Sequence, residues 1–322
     1  MIKLSAFADE AGRELETQIE ALKRNGISYI EVRFLGAKNV ADLTEEEARE
    51  AKAKLDEAGI RVSAIGSPLG KIKITDDIDA HMEKTRHVCR LAKIFGTGRI
   101  RMFSFYEAYE AEEDVFAALR RMVAIAKEEG VTLCHENEKD IYGDVAARIL
   151  RIMENVEGLA YVYDPANFLE VGEDSANALA KLHDKMTYFH IKDVIKETHE
   201  IVPAGYGDGL IDQLVARLPE DGEWILTLEP HLTLFEGYAL PLWKQSLLLA
   251  YNASKKVPGV RLVGWDLCIT PDGPVLVEGN HYPGHDIYRP VPQNPEKKGL
   301  LPAFNAVVPY SSLEERIKEK NK

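Results

Sequence analysis

Eight short apolar runs recur along the chain, each followed by a stretch with helical spacing, and this rhythm restricts the fold more than any other feature. The runs occupy residues 2–8, 29–34, 61–65, 99–105, 132–138, 160–164, 186–192 and 224–229. They start about 30 residues apart, the length of one strand–helix unit. The intervening segments carry helix signals. In 14–25, Leu15, Ile19 and Leu22 share one stripe. Thr44 and Glu47 are spaced as a capping box opening 45–58, and Gly59 ends that segment. Segment 115–129 ends at Gly130 in the same way, and 144–154, 175–183 and 210–218 complete the set. Eight strands alternating with helices predict an α/β chain folded as a (β/α)8 TIM barrel. A doubly wound sheet is the competing arrangement. It would carry a Gly-rich phosphate loop after its first strand, and Phe7-Ala8-Asp9-Glu10-Ala11-Gly12 is no such loop.

Composition narrows the function. Among 322 residues, 40 Lys+Arg stand against 53 Asp+Glu, a net charge of −13. Such a surface repels phosphate backbones, so no nucleic-acid partner is expected. No 18-residue apolar run occurs, so no membrane span is expected. The first residues lack the basic and apolar regions of a signal peptide. Cys89, Cys134 and Cys268 are odd in number and widely spaced, which suits a reducing cytoplasm.

After about Tyr238 the texture changes. Segment 240–254 reads as a helix, and Pro and Gly then become dense. Residues 261–269 and 274–278 read as strands joined by Thr270-Pro271-Asp272-Gly273, a hairpin. The expected organisation is therefore a barrel over 1–238 and a short α+β appendage over 239–322.

In such a barrel, chemistry sits where strands end and the following loops begin. Strand five ends in His135-Glu136-Asn137-Glu138, strand six in Tyr163-Asp164-Pro165-Ala166-Asn167, strand seven in His190-Ile191-Lys192-Asp193, and strand eight in Glu229-Pro230-His231. Glu136, Asp164, His190 and Glu229 would thus meet on one rim. Three carboxylates and one imidazole suit one divalent ion such as Mn²⁺, Mg²⁺, Co²⁺ or Zn²⁺. Any one of these acids alone is more often a helix cap or an ion-pair partner. Four in register are hard to explain by capping, because like charges resist ionising side by side without a cation. Lys192 shares the face of His190 and could hold a substrate oxygen or pair with a neighbouring acid. Arg33 and Arg101 suit either an anionic substrate or structural ion pairs. Glu31, Asn167 and His231 are candidates for supporting or substrate contacts. His199 reads as a solvated loop residue.

These strand-end motifs, with Phe7-Ala8-Asp9-Glu10, Ile30-Glu31-Val32-Arg33 and Arg101-Met102-Phe103-Ser104-Phe105, resemble the xylose isomerase-like barrels, most closely the sugar phosphate isomerase/epimerase branch. The resemblance implies one divalent metal held by Glu136, Asp164, His190 and Glu229. It implies that Glu136 and Glu229 flank the substrate carbons, one removing a proton α to a carbonyl and the other returning it. It implies that the Gly-rich loop Ala204-Gly205-Tyr206-Gly207-Asp208-Gly209 covers the site, and it leaves homo-oligomerisation open. Related epimerases often place a His where this sequence has Asn167.

The tail, Val263-Gly264-Trp265-Asp266-Leu267 and the run from Thr270 to Asn280, resembles the end of a sugar-transfer-associated ATP-grasp fold. That resemblance implies nucleotide-linked magnesium binding by Asp266, Glu278 and Asn280. The preceding half of such a fold is replaced by the barrel, so the site would be vestigial. The expected function is metal-dependent isomerisation or epimerisation of a small sugar, keto-sugar or sugar phosphate through an enediolate. The alternatives are a dehydratase or lyase acting on an inositol-like or keto acid substrate, and an inactive barrel fused to an ATP-grasp remnant. An abasic-site endonuclease would need more histidines and a basic groove, and an ATP-dependent ligase would need the missing half.

Overall fold

The computed structural model describes residues 2–218 and 224–229, then 249, 252, 253, 256, 264–270 and 273–280. All eight expected strands form. They are β1 (Ile2–Ala6), β2 (Tyr29–Val32), β3 (Arg61–Gly66), β4 (Arg99–Met102), β5 (Thr132–Glu136), β6 (Ala160–Tyr163), β7 (Met186–Ile191) and β8 (Trp224–Leu228). They pair in parallel in the order β1-β8-β7-β6-β5-β4-β3-β2. β2 lies beside β1, so the sheet curls into the expected barrel.

Around it run α1 (Leu15–Arg24), α2 (Glu45–Glu57), α3 (Ile78–Phe95), α4 (Glu112–Glu129), α5 (Ala146–Asn155), α6 (Pro165–Glu170), α7 (Ser175–Leu182) and α8 (Ile211–Ala216). Each long helix turns an apolar stripe inward, and Leu22, Leu55, Leu91, Leu119, Ile149 and Leu182 are all fully buried or nearly so. The Thr44–Glu47 capping box forms as expected. α3 and α4 end at Gly96 and Gly130, whose φ values of 72° and 74° suit a residue without Cβ. α3 was not among the expected helices, although Asp77 caps it, accepting from the Ala80 N–H at 2.9 Å. The short α6 was also unexpected.

The chain divides into two compact units, Met1–Trp243 and Lys244–Lys322, five residues beyond the expected boundary. Of the helix expected over 240–254, Leu249, Asn252 and Ala253 are helical, and the rest lies outside the described residues. In the second unit β9 (Gly264–Thr270) and β10 (Gly273–Asn280) form the expected antiparallel hairpin. No helix among the described residues is long and apolar enough to cross a membrane.

Candidate metal centre

Barrel closure gathers the four strand-end residues. One ligand atom from each of Glu136, Asp164, His190 and Glu229 lies within 4.8 Å of every other. Glu136 is the last residue of β5, and His190 is on β7. Asp164 follows β6 and Glu229 follows β8, where the Glu229 N–H donates to the Ile191 carbonyl at 3.1 Å.

Each member is held from outside the cluster. His190 Nδ1 lies 2.7 Å from Glu136 Oε1, and Nε2 lies 3.3 Å from Glu31 Oε2. Glu31 is fully buried and also accepts from Thr227 (2.8 Å) and Tyr188 (3.2 Å). Arg101 Nε approaches Glu136 Oε2 at 3.3 Å and Glu31 Oε1 at 4.0 Å. Arg33 spends its three nitrogens on three acids. Nε donates to Asp9 at 3.0 Å, Nη1 to Glu229 at 3.4 Å, and Nη2 to Glu10. Both guanidinium groups lie over the ring of Phe7, at 4.6 Å for Arg33 and 5.4 Å for Arg101.

Asp164 does two jobs with its two oxygens. Oδ1 caps α6 by accepting the Asn167 N–H at 3.0 Å. Oδ2 is buried without a hydrogen-bond partner, 3.6 Å from Lys192 Nζ. An orphaned carboxylate oxygen in a cluster of three acids and an imidazole is what a divalent cation would satisfy, so the donor set fits a metal.

The electrostatics agree with this grouping. Burial pushes Asp164 up to about 7, partly offset by Lys192 and reinforced by Glu229 and Glu136. Burial also opposes ionisation of Glu136, but His190 and Arg101 outweigh it and hold that carboxyl down to about 2. Burial works against charge on His190, yet the flanking Glu136 and Glu31 raise it well above the usual imidazole range. Lys192 is raised in the same way by Asp164 and Glu229 against its burial.

Glu136 and Glu229 of the cluster line a cavity of about 500 Å³, together with Phe7, Arg33, Arg101, Asn167 and Lys192. The expected substrate-contact residues Lys192, Arg33, Arg101 and Asn167 therefore converge, while His231 lies outside the described residues. Lys192 Nζ donates to Asn167 Oδ1 at 2.6 Å, and Asn167 Nδ2 to the Asn137 carbonyl at 2.9 Å. Lys192, Arg33 and Arg101 each pair with an acid and also line the cavity. His199 is exposed on a hairpin between residues 193–195 and 200–202. In the second unit, the β9–β10 register pairs Asp266 with Glu278 and Gly264 with Asn280.

Sequence reasoning missed three supports. Asp9 and Glu10 served only as resemblance motifs, yet they anchor Arg33. The role of Asp193 was unseen. Its carboxylate accepts the N–H groups of Gly205, Gly207 and Gly209 at 2.9, 3.0 and 2.8 Å and that of Val194 at 3.0 Å. The only available signal was the spacing of three glycines after an acid.

A family model described as xylose isomerase-like TIM barrel matches residues 19–246, and one described as sugar-transfer associated ATP-grasp matches residues 232–307. No curated protein sequence matches the chain. Several solved structures share the fold. The probable 3-DHS dehydratase AsbF from Bacillus anthracis, involved in petrobactin synthesis, is 17% identical over 70% of this chain and 92% of its own, with a TM-score of 0.58. An L-ribulose 3-epimerase is 17% identical over 81% of this chain and 99% of its own, with a TM-score of 0.57. A xylose isomerase-like TIM barrel protein from Mycobacterium smegmatis, in complex with magnesium, is 14% identical over 70% of this chain and 89% of its own, with a TM-score of 0.56.

Proposed function

The chain belongs to the xylose isomerase-like TIM barrel family, and from that premise we propose that it is a divalent-metal-dependent isomerase or epimerase of a small sugar, keto-sugar or sugar phosphate. The observation that carries this reading is the convergence of Glu136, Asp164, His190 and Glu229, with Glu136 and Glu229 lining an open cavity. These four would hold the metal. A bound divalent ion would polarise a substrate carbonyl and stabilise the charge that develops when an adjacent proton leaves.

The protein residues do the remaining work. Glu136 and Glu229 come from β5 and β8, the outer two of the four strands that supply the cluster, and both line the cavity. Each carries its own arginine, Arg101 for Glu136 and Arg33 for Glu229. One carboxylate takes the proton α to the carbonyl, and the other returns a proton to the opposite face or to the neighbouring carbon. Lys192 is held by Asn167 and offers N–H donors to substrate hydroxyls. The likeness to a 3-epimerase supports this reading at the level of fold.

A dehydratase is the second reading. Lys192 favours it, because an ammonium kept charged beside Asp164 could donate a hydrogen bond to a departing hydroxyl. The Asp266, Glu278 and Asn280 positions of the hairpin would be a remnant nucleotide-linked magnesium site.

The test is metal analysis followed by incubation of Mn²⁺-loaded protein with a panel of ketoses and ketose phosphates in D₂O. Deuterium entering a carbon beside the carbonyl, abolished by Glu136→Gln and by Glu229→Gln, supports proton transfer. A parallel incubation with hydroxylated keto acids, in which loss of water is followed, selects the dehydratase if they turn over and the ketoses do not. Full turnover in either variant defeats the two-base assignment.

A further inference from the structure

The opposite end of the barrel carries a second polar cavity, of about 490 Å³. Lys3, Tyr29, Arg61 and Arg99 line it, from the starts of four different strands, β1 to β4. Three of them stand two residues before barrel-lining positions: Lys3 before Ser5, Tyr29 before Glu31, and Arg99 before Arg101. Arg61 stands directly opposite Tyr29 in the β2–β3 register and so shares its face. Alternation along a strand therefore turns all four toward the barrel axis. They form one inward-facing layer at the end away from the metal cluster.

This layer is rich in cations in a chain whose net charge is −13. Asp56 is the only acid among the described lining residues, and Lys52 pairs with it. Among the described residues neither Arg61 nor Arg99 makes an ion pair, although Arg33, Arg101, Arg148 and Arg151 all do. Arg61 lies over the Tyr29 ring at 4.5 Å, and Lys3 approaches the same ring at 5.3 Å. Ring stacking leaves the N–H edge of a guanidinium free to meet a flat or tetrahedral oxyanion. An independent sign comes from Tyr29 itself. Its residue is 9% exposed, and its hydroxyl is buried with no hydrogen-bond partner among the described residues. A buried donor left idle at a cationic cavity costs free energy unless a ligand uses it.

We propose that this cavity is a binding site for a phosphate group, gripped by Arg61 and Arg99 with the Tyr29 hydroxyl as a further donor. The site is separate from the metal centre and does not depend on the reaction proposed there. Ligand bound here would raise the stability of the barrel by linkage.

The test titrates the full chain, stripped of metal, with inorganic phosphate at low ionic strength and follows heat. Saturable binding in the millimolar range is expected. Arg61→Gln with Arg99→Gln should weaken it by roughly tenfold or more, and Tyr29→Phe, which keeps the ring, by about threefold. Both variants should take up Mn²⁺ as the parent does. A second titration with glycerol 3-phosphate separates the sources: tighter binding than inorganic phosphate assigns an esterified ligand, and weaker binding assigns free phosphate. Unchanged phosphate binding in the double variant, or none in the parent at about 10 mM, overturns the proposal.

Discussion

His190 presents Nδ1 to Glu136 Oε1 at 2.7 Å, so the one imidazole of the cluster is oriented by one of the carboxylates it accompanies. Glu31 holds the other nitrogen. Glu136→Gln withdraws a hard oxygen donor and the charged partner that orients the His190 ring. Mn²⁺ affinity, read by electron paramagnetic resonance, should fall by about 10-fold to 100-fold. Glu31→Gln should cost less, because Glu31 meets the cluster at His190 and reaches Glu136 through Arg101. Equal losses would mean that Glu31 is itself a ligand.

Asp193 collects four backbone N–H groups from the segment after β7. Asp193→Ala orphans these donors together. A net loss of about 3 kcal/mol is expected, since bonds to a charged acceptor are each worth about 1.5–3 kcal/mol and some donors will reach water. Amide exchange at Gly205, Gly207 and Gly209 should accelerate in the variant. A variant with parental exchange at all three glycines would show that the loop holds its shape without the carboxylate.

Much of the fold and of the cluster was legible because both depend on local pattern. Strand-forming runs ending in Glu136, Asp164, His190 and Glu229 need only the barrel rule to bring those residues to one rim. What escaped depends on closure. Arg33 meets Asp9 and Glu229 only because β2 and β8 both flank β1, a relation across 196 residues for the second pair. α3 escaped for another reason. Its buried stripe of Met82, Thr85, Val88, Cys89, Ala92 and Phe95 includes small and polar residues and is interleaved with six charged or imidazole side chains from Glu83 to Lys93. The ends, Asp77 and Gly96, were the better signal. The orphaned oxygen of Asp164 could not be foreseen, because sequence says that an Asp can cap α6 but not which oxygen is left over.

Glycine positions give a contrast that isolates close approach from backbone strain. Gly70 has φ of +82°, and a Cβ there would meet the Phe103 carbonyl oxygen at 2.0 Å. Gly172 has φ of +76° with nothing within 4 Å. Gly172→Ala should cost about 1 kcal/mol, the penalty for a side chain in the left-handed region. Gly70→Ala adds a backbone collision and should cost more than about 4 kcal/mol, leaving little folded protein. Urea melts of the pair check this, and similar midpoints would show that the 67–72 segment shifts freely.

The same segment makes stability depend on pH. The Gly70 N–H donates to His81 Nε2 at 2.9 Å, so that nitrogen must be unprotonated. Burial, aided by Lys84, lowers His81 to about 4 from a usual value of 6.5. A folded pKa below the unfolded one means that the unfolded chain takes up the proton first. The stability is therefore fully present above about pH 6.5, declines as pH falls, and levels off below about pH 4. A separation of about 2.5 units corresponds to about 3 kcal/mol. His81→Gln keeps an acceptor for Gly70 but does not titrate. Urea unfolding of parent and variant at pH 7.5, 6, 5 and 4.5 should give free-energy curves that converge on acidification, because the parent loses the His81 contribution and the variant has none to lose. Parallel curves would assign the acid sensitivity to other groups, His135 first, since burial lowers it to about 4 as well, against the opposing charge of Glu136.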